Sequence, residues 1–195
     1  IYSSIAKKTY QCGSMEEAET SKLLENLYRS INIGLANEMK LICDKLNINV
    51  HNVIEAASTK NFGFQKFLPG PGLGGHCIPI DPYYLSWISE KNGYEPKLLK
   101  SAAKINNNMP NIITNKILKY FKKKPKILIF GISYKKNVDD DRESPSFEFM
   151  KIFKKRKIKF DYIDPYFSQI KKGRKISLQK KSIKLNIKNS KNYDC

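Results

Sequence analysis

Apolar residues recur at Leu23, Leu24, Leu27, Ile31, Leu35, Met39 and Ile42. Steps of three or four residues make one stripe of an amphipathic helix. Ser14 can cap that helix, and Glu16, Glu17 and Glu19 suit its positive end. The pattern therefore predicts a helix from about Ser14 to Leu46, after a short mixed lead-in. Asn47-Ile48-Asn49 breaks it, and Asn49 can cap a second helix from Val50 to about Thr59. Cys43 lies within the first apolar pattern and is expected in the core.

Residues 60–81 carry no such period. NFGFQKFLPGPGLGGHCIPID holds five glycines and three prolines, so the backbone sets its shape. A loop this long in a compact chain is usually functional or disordered. Asp81 and Pro82 read as cap and first turn of a helix through about Lys91, which Gly93 stops. A further helix is expected from Pro96 to Phe121, bent near Pro110.

The character changes at Lys126. KILIFGISY reads as a buried strand, Ser144 to Lys155 as a helix, and KFDYIDPY as a second strand. Strand, helix, strand is one βαβ unit with a parallel pair. The remaining tail has room for one more strand or helix at most. The fold class is α/β, with a helical part at 1–124, carrying the loop at 60–81, and a partial α/β domain at 125–195. One βαβ unit does not make a covered parallel sheet, so the chain is expected to stop short of a full α/β domain. It does not begin with Met, and it reads as starting inside a longer protein.

Composition narrows the function classes. The 36 Lys and Arg against 18 Asp and Glu give a formal charge of +18. Such an excess suggests a nucleic-acid partner. Here lysine dominates and is spread with Ile and Asn, so solvated lysines are the preferred reading. No apolar run spans a membrane, and no secretory signal opens the chain, so a cytoplasmic location with reduced thiols is expected. Four cysteines (12, 43, 77 and 195) without CxxC spacing, and two histidines, give no zinc pattern.

Cys77 ends the glycine-rich loop just before a helix start. The positive helix end favours the thiolate, which makes a useful nucleophile. A buried structural cysteine beside a turn is the other reading. The adjacent Gly74 and Gly75 allow close approach to the backbone. His76 is a candidate base, though neighbouring side chains in an extended segment point apart. Lys22, Asn26 and Arg29 share one helix face, as oxyanion donors or as a solvated polar face. Lys135 follows a strand, where open α/β sheets bind ligands. Arg142 stands just outside a helix that Ser144 caps and Pro145 opens, a place for an anion or for an ordinary surface arginine.

The segments KLLENLYRSINIGLANEM, FGFQKFLPGPGLGGHCIPIDPYYLSW, GISYKKNVDDDRESPSFE and DYIDPY together resemble, in this order, the UDP-glucose/GDP-mannose dehydrogenase family. The wording GPGLGGHCIPIDPYYL is most similar to the branch that oxidises UDP-N-acetylhexosamines to uronic acids for surface polysaccharides. The resemblance implies an all-helical central dimerisation domain followed by a truncated Rossmann-like UDP-binding domain. It implies NAD as cofactor, a UDP-sugar as substrate and a homodimer. Cys77 then matches the residue that forms a thiohemiacetal and a thioester at the sugar C6. Lys22 and Asn26 match its oxyanion-stabilising helix residues, and Asp81 the acid of a water network. Gly74 and Gly75 match the stretch that wraps the sugar, Lys135 a nucleotide-sugar contact and Arg142 an NAD contact. Lys60 matches a basic residue that crosses to the partner's site. Position 80 is Ile, where the UDP-glucose branch carries Lys. The family's N-terminal Rossmann domain, with its GxGxxG loop, has no counterpart in the resemblance, so the isolated chain is not expected to transfer hydride. A non-catalytic dimerisation module is the alternative function.

Overall fold

The computed structural model describes residues 2–170, 178–184, 186 and 190–195. A one-turn helix α1 (Tyr2–Ile5) precedes α2 (Met15–Lys45), α3 (Val50–Ser58), α4 (Asp81–Lys91) and α5 (Lys97–Lys119). Then come β1 (Ile127–Phe130), α6 (Pro145–Lys155), β2 (Phe160–Ile163), β3 (Gln169–Ile170) and β4 (Lys180–Lys181). Among the described residues no helix is long and apolar enough to cross a membrane.

Local chemistry sets the helix starts. Ser14 accepts from the Glu17 N–H at 3.2 Å, and the Glu17 carboxylate accepts from the Gly13 N–H at 2.7 Å. This is a capping box drawn out by one residue. Asn49 accepts from the His51 N–H at 2.9 Å to start α3. Ser144 accepts from the Ser146 N–H at 3.2 Å to start α6.

The buried face of α2 is not its apolar stripe. Leu27 and Cys43 are buried, but Leu24, Leu35 and Ile42 are 63%, 55% and 45% exposed. The face turned to α5 carries Ser30, Gly34 and Asn37. A Cβ on Gly34 would lie 3.2 Å from the Ala102 Cβ and 3.3 Å from its Cα. Two small residues thus let α2 and α5 cross closely, and backbone groups come within reach of amide side chains.

A buried amide row uses that reach. The Asn106 Nδ2 donates to the Ser30 carbonyl at 2.9 Å, and the Asn37 Nδ2 donates to the Asn106 Oδ1 at 2.9 Å. The Asn37 Oδ1 accepts from the Gly70 N–H at 2.8 Å. Both asparagines are fully buried, where an unpaired amide would be costly. The row therefore pins the glycine-rich loop to two helices.

Pro110 lies inside α5. It has no N–H for the Asn106 carbonyl four residues earlier. Gly72, at φ +131°, comes against that carbonyl: a Cβ there would lie 3.4 Å from the oxygen. The loop is thus seated where the helix leaves an acceptor open.

In the C-terminal part, β1 and β2 pair in parallel from Ile127↔Phe160 to Phe130↔Ile163, with α6 as the connection. Ile132, Phe147, Met150, Tyr162 and Ile170 form one core cluster, and Ile127, Phe153 and Ile158 another. Ile117 and Leu118 of α5 pack on the second cluster and join the two parts of the chain. The tail adds β4, antiparallel to β3; residues 171–177, 185 and 187–189 of it lie outside the described residues. The last residues return to β1, where Asp194 N–H donates to the Lys126 carbonyl at 2.8 Å. Asp164, buried at the ends of both strands, accepts from the N–H groups of Ile132, Tyr166 and Phe167 at 2.7, 2.8 and 3.1 Å. Burial opposes its charge, but these bonds outweigh it and hold the carboxyl below its ordinary range.

Replacing Asn37 by Ala strands the Gly70 N–H and the Asn106 Oδ1, and should destabilise the fold by about 2–3 kcal/mol in urea unfolding. An unchanged midpoint would refute the pinning role. Asp164 titrates lower folded than unfolded, so its contribution is present above the unfolded value of about 3.9 and is lost as pH falls through the folded one. Between about pH 5 and 3 the wild type should therefore lose stability more steeply than Asp164→Asn. Equal slopes in thermal melts across that range would contradict this.

Candidate functional site

The Cys77 turn is built by the start of α4. The Cys77 carbonyl accepts from the N–H groups of Ile80 and Asp81 at 3.0 and 2.9 Å. The helix N-terminal amides are thus used through the Cys77 backbone, and its side chain is left exposed. Exposure removes the reading of a buried structural cysteine. Cys43, by contrast, is buried as expected, with Val50 and Ile54.

Asp81 is not the cap that its sequence position suggests. Ile80 holds the cap position without a side-chain bond, and Asp81 is the first residue of the helix. Its carboxylate Oδ2 instead accepts from the Asn26 Nδ2 at 2.6 Å. The Asn26 Oδ1 in turn accepts from the Arg29 Nη2 at 2.7 Å. A polar row of Arg29, Asn26 and Asp81 therefore ties α2 to the turn that carries Cys77. Asn26 is 3% exposed, so the centre of this row is buried, while Arg29 at its end is exposed. Lys22 lies one turn before Asn26 on the same face, exposed and paired with Glu25 at 2.7 Å.

The second wall is the β1–α6 connection. The Gly75 N–H donates to the Arg142 carbonyl at 3.0 Å. A Cβ on Gly74 would lie 2.6 Å from the Tyr134 Cβ and 3.1 Å from the Pro145 Cδ; one on Gly75 would lie 2.9 Å from the Tyr134 ring. The two glycines thus let Tyr134 and Pro145 approach the loop backbone. Gly75 also has φ +89°, a conformation that glycine adopts freely.

Arg142 is not a free cation. Its Nε donates to both Asp140 carboxylate oxygens, at 2.9 and 3.0 Å, and its Nη2 donates to Oδ2 at 2.6 Å. The Arg142 side chain is 62% exposed while the Asp140 side chain is 14% exposed. Arg142, through side-chain and backbone bonds, holds the Asp140 carboxyl below its ordinary range. Asp141, next to it, is pushed up, by burial first and then by its acidic neighbours. Lys135, on the same connection, is exposed and pairs with none of the described residues. Lys60 lies over the Phe62 ring, 5.4 Å from its centroid, and no hydrogen bond or ion pair among the described residues links it to the Cys77 loop.

The structure thus gathers Cys77, Asp81, Asn26, Gly74, Gly75 and Arg142 at one junction between the helical part and the βαβ unit. It leaves Lys60 outside that junction and gives Lys22 an exposed place on its rim. Sequence reasoning passed over Tyr134, Asp140 and the Asn37–Asn106 pair. Tyr134 and Asp140 sit inside the GISYK and DDDR motifs, where the motif itself was the only signal. Asn37 follows Ser30 and Gly34 at helical spacing, a pattern that reads as polar surface unless the small residues are recognised as a crossing point.

Known proteins match both parts. Residues 16–108 match the central domain of the UDP-glucose/GDP-mannose dehydrogenase family, and residues 128–195 its UDP binding domain. A UDP-N-acetyl-D-mannosamine dehydrogenase of Methanococcus maripaludis is 42% identical over 172 residues, which is 86% of this chain and 39% of the relative. A UDP-N-acetyl-D-glucosamine 6-dehydrogenase of Salmonella typhi is 36% identical over 168 residues, 83% of this chain and 39% of that protein. The solved UDP-D-ManNAc dehydrogenase of Pyrococcus horikoshii superposes with a TM-score of 0.77 at 34% identity, covering 85% of this chain and 40% of the solved one. The chain thus spans about two fifths of the length of these relatives. With both of its parts matched in order, the chain belongs to the UDP-glucose/GDP-mannose dehydrogenase family.

Proposed function

We propose that this chain provides the thiol and the nucleotide-sugar face of an NAD-dependent UDP-N-acetylhexosamine 6-dehydrogenase, acting in the cytoplasm for surface polysaccharide synthesis. The observation that carries the reading is the exposed Cys77, placed between the Asn26–Asp81 pair and the β1–α6 connection. The names of the relatives favour an N-acetylhexosamine, and so does Ile80. The division into a helical part at 1–124 and a UDP-binding part at 125–195 goes with the reading.

The chain's residues suit the chemistry in turn. The C6 alcohol loses a hydride and a proton to become an aldehyde. The Cys77 thiolate adds to the aldehyde carbon, giving a thiohemiacetal. Loss of a second hydride leaves a thioester, and water releases the uronate and the free thiol. Asn26 is placed by Asp81 and Arg29, and its amide can donate to the oxyanion that develops at C6. Asp81, whose second oxygen has no hydrogen-bond partner among the described residues, can orient the water. Lys22 adds a positive charge one turn away. Lys135 takes a phosphate of the nucleotide, and Gly74 and Gly75 shape the loop along the sugar. NAD, when bound, accepts the hydride at each oxidation. The part of an NAD site that this chain's motifs supply is Arg142, whose exposed guanidinium fits contact with an anionic cofactor. The chain alone is accordingly expected to bind nucleotide sugar without turning it over.

Association is the second element of the reading. Leu24, Tyr28, Leu35, Ile42 and Val53 are exposed. A groove of about 290 Å³ beside them is lined by Leu35, Met39, Val50, Ile54, Phe64 and Phe67. Such a patch fits a second copy of this chain, and Lys60, at its edge of the loop, can then cross to the partner's site. A chain that only associates is the alternative function.

Calorimetric titration with UDP should show binding, weakened about tenfold in Lys135→Gln. A UDP-N-acetylhexosamine should shield Cys77 from iodoacetamide but leave Cys12 unshielded. Absent UDP binding, the dehydrogenase reading fails and the association module remains. Light scattering should give a dimer that Leu35→Lys converts to a monomer; a monomeric wild type removes the association claim.

A further inference from the structure

Most lysines of this chain are spread out, but one group of them is gathered. β1 and β2 run in parallel. Lys126 and Lys159, each just before a strand, therefore stand at one end of the pair. The connection that meets the Cys77 loop leaves from the other end. The C-terminal turn of α6 comes to the lysine end as well. An open cavity of about 520 Å³ lies there, lined by Lys126, Lys154, Lys157, Lys159 and Lys180, with Asp161 as the carboxylate among its described residues. That volume falls in the range of about 300–1,000 Å³ usual for small-molecule sites.

Two of the ammonium groups are held in place. The Lys180 Nζ lies 2.8 Å from the Asp161 Oδ1 and 5.2 Å from the Phe160 ring centroid. The Lys126 Nζ lies 3.5 Å from the Asp161 Oδ2 and 4.4 Å from the Tyr193 ring centroid. The Tyr193 hydroxyl donates to the same Oδ2 at 2.7 Å, which fixes the carboxylate in turn. Lys126 and Lys180 are half-buried. Lys157 and Lys159 are exposed and pair with none of the described residues.

Charge decides the class of ligand. The C-terminal end of α6 carries about half a negative charge, and Asp161 adds one more. Against Lys126, Lys157, Lys159 and Lys180 this leaves an excess of roughly two to three positive charges. Each ammonium has three N–H donors and no acceptor, so the cavity offers donors to anionic oxygens. Phe160, which lines it, has Lys180 over its ring. The site thus favours phosphate groups over a base read by stacking.

We propose that this end of the sheet binds a small anion of two or more linked phosphate groups, at a site separate from the nucleotide-sugar face. A single phosphate leaves part of the excess charge unmet, whereas a short phosphate chain reaches both the held and the exposed lysines. The strand itself keeps the two places apart: the four residues of β1, about 13 Å of extended chain, lie between Lys126 and the connection that carries Lys135. The inference depends neither on Cys77 nor on the dehydrogenase reading.

Calorimetric titration of the chain with inorganic tripolyphosphate tests it. One ion should bind per chain, more weakly as salt rises from about 0.05 to 0.3 M. Replacing Lys157 and Lys159 together by Gln should weaken binding about tenfold. Both are exposed, so the thermal midpoint should not move; if it does, Lys159→Gln alone, with an expected loss of about threefold, decides. Replacing Lys97 and Lys104 of α5 by Gln removes the same charge elsewhere and should change binding less than about twofold. Lys135→Gln should leave it unchanged. Absence of binding overturns the proposal. Equal losses in the two double variants do the same, since they mark diffuse charge. A loss in Lys135→Gln places the ion at the nucleotide-sugar face and also overturns it. So does a short DNA oligonucleotide that binds more tightly than tripolyphosphate and is weakened by the Lys157 and Lys159 changes, which would make this end a nucleic-acid face.

Discussion

Two fully buried amides, Asn37 and Asn106, decide where the glycine-rich loop lies. They face each other because Gly34 and Ala102 remove the side-chain bulk that would separate α2 from α5. An amide pair in such a place has little freedom. Each N–H and each oxygen must find a partner inside the protein. The Ser30 carbonyl and the Gly70 N–H are those partners. The loop is thus held by the demand of buried polar groups for satisfaction, and not by apolar burial of its own residues, most of which are exposed up to Lys66. The loop that follows Gly70, including Cys77, starts from that anchor.

From the anchor, the loop meets two different surfaces. On the α2 side the meeting is polar and charged, through Asn26 and Asp81. On the βαβ side it is steric and main-chain, through Tyr134, Pro145 and the Arg142 carbonyl. The two kinds of contact divide the work. Main-chain bonds and glycine gaps fix position, because they leave few alternative arrangements. Side-chain pairs add polar links between elements far apart in sequence. A thiol at such a junction is exposed and yet tightly framed, which is what covalent chemistry on a bulky substrate requires.

Much of this was legible in the sequence, for a physical reason. The caps at Ser14, Asn49 and Ser144 are bonds between residues two or three apart, so local pattern suffices. The βαβ unit was legible from strand runs on either side of a capped helix. Asp81 was misread because its local position says cap while its partner, Asn26, lies 55 residues away. The apolar stripe of α2 was legible, but not what covers it: Leu24, Leu35 and Ile42 are exposed. Apolarity marks a face that is buried by something, but it does not say whether that something belongs to the same chain. Of the three aspartates before Arg142, spacing alone does not choose Asp140; the backbone turn at Tyr134 does.

The missing hydrogen-bond donor at Pro110 sets a tension between a helix and its neighbour. A residue with an N–H there would complete the ladder of α5 and make a sturdier helix by itself. It would also occupy the Asn106 oxygen against which Gly72 rests, so the gain in the helix would be set against the seat of the loop. At this one position the completeness of the helix and the seating of the loop therefore pull in opposite directions. With Pro110 the loop keeps its seat, and thermostabilised versions of this chain are better sought on the outer faces of α5 than along its spine.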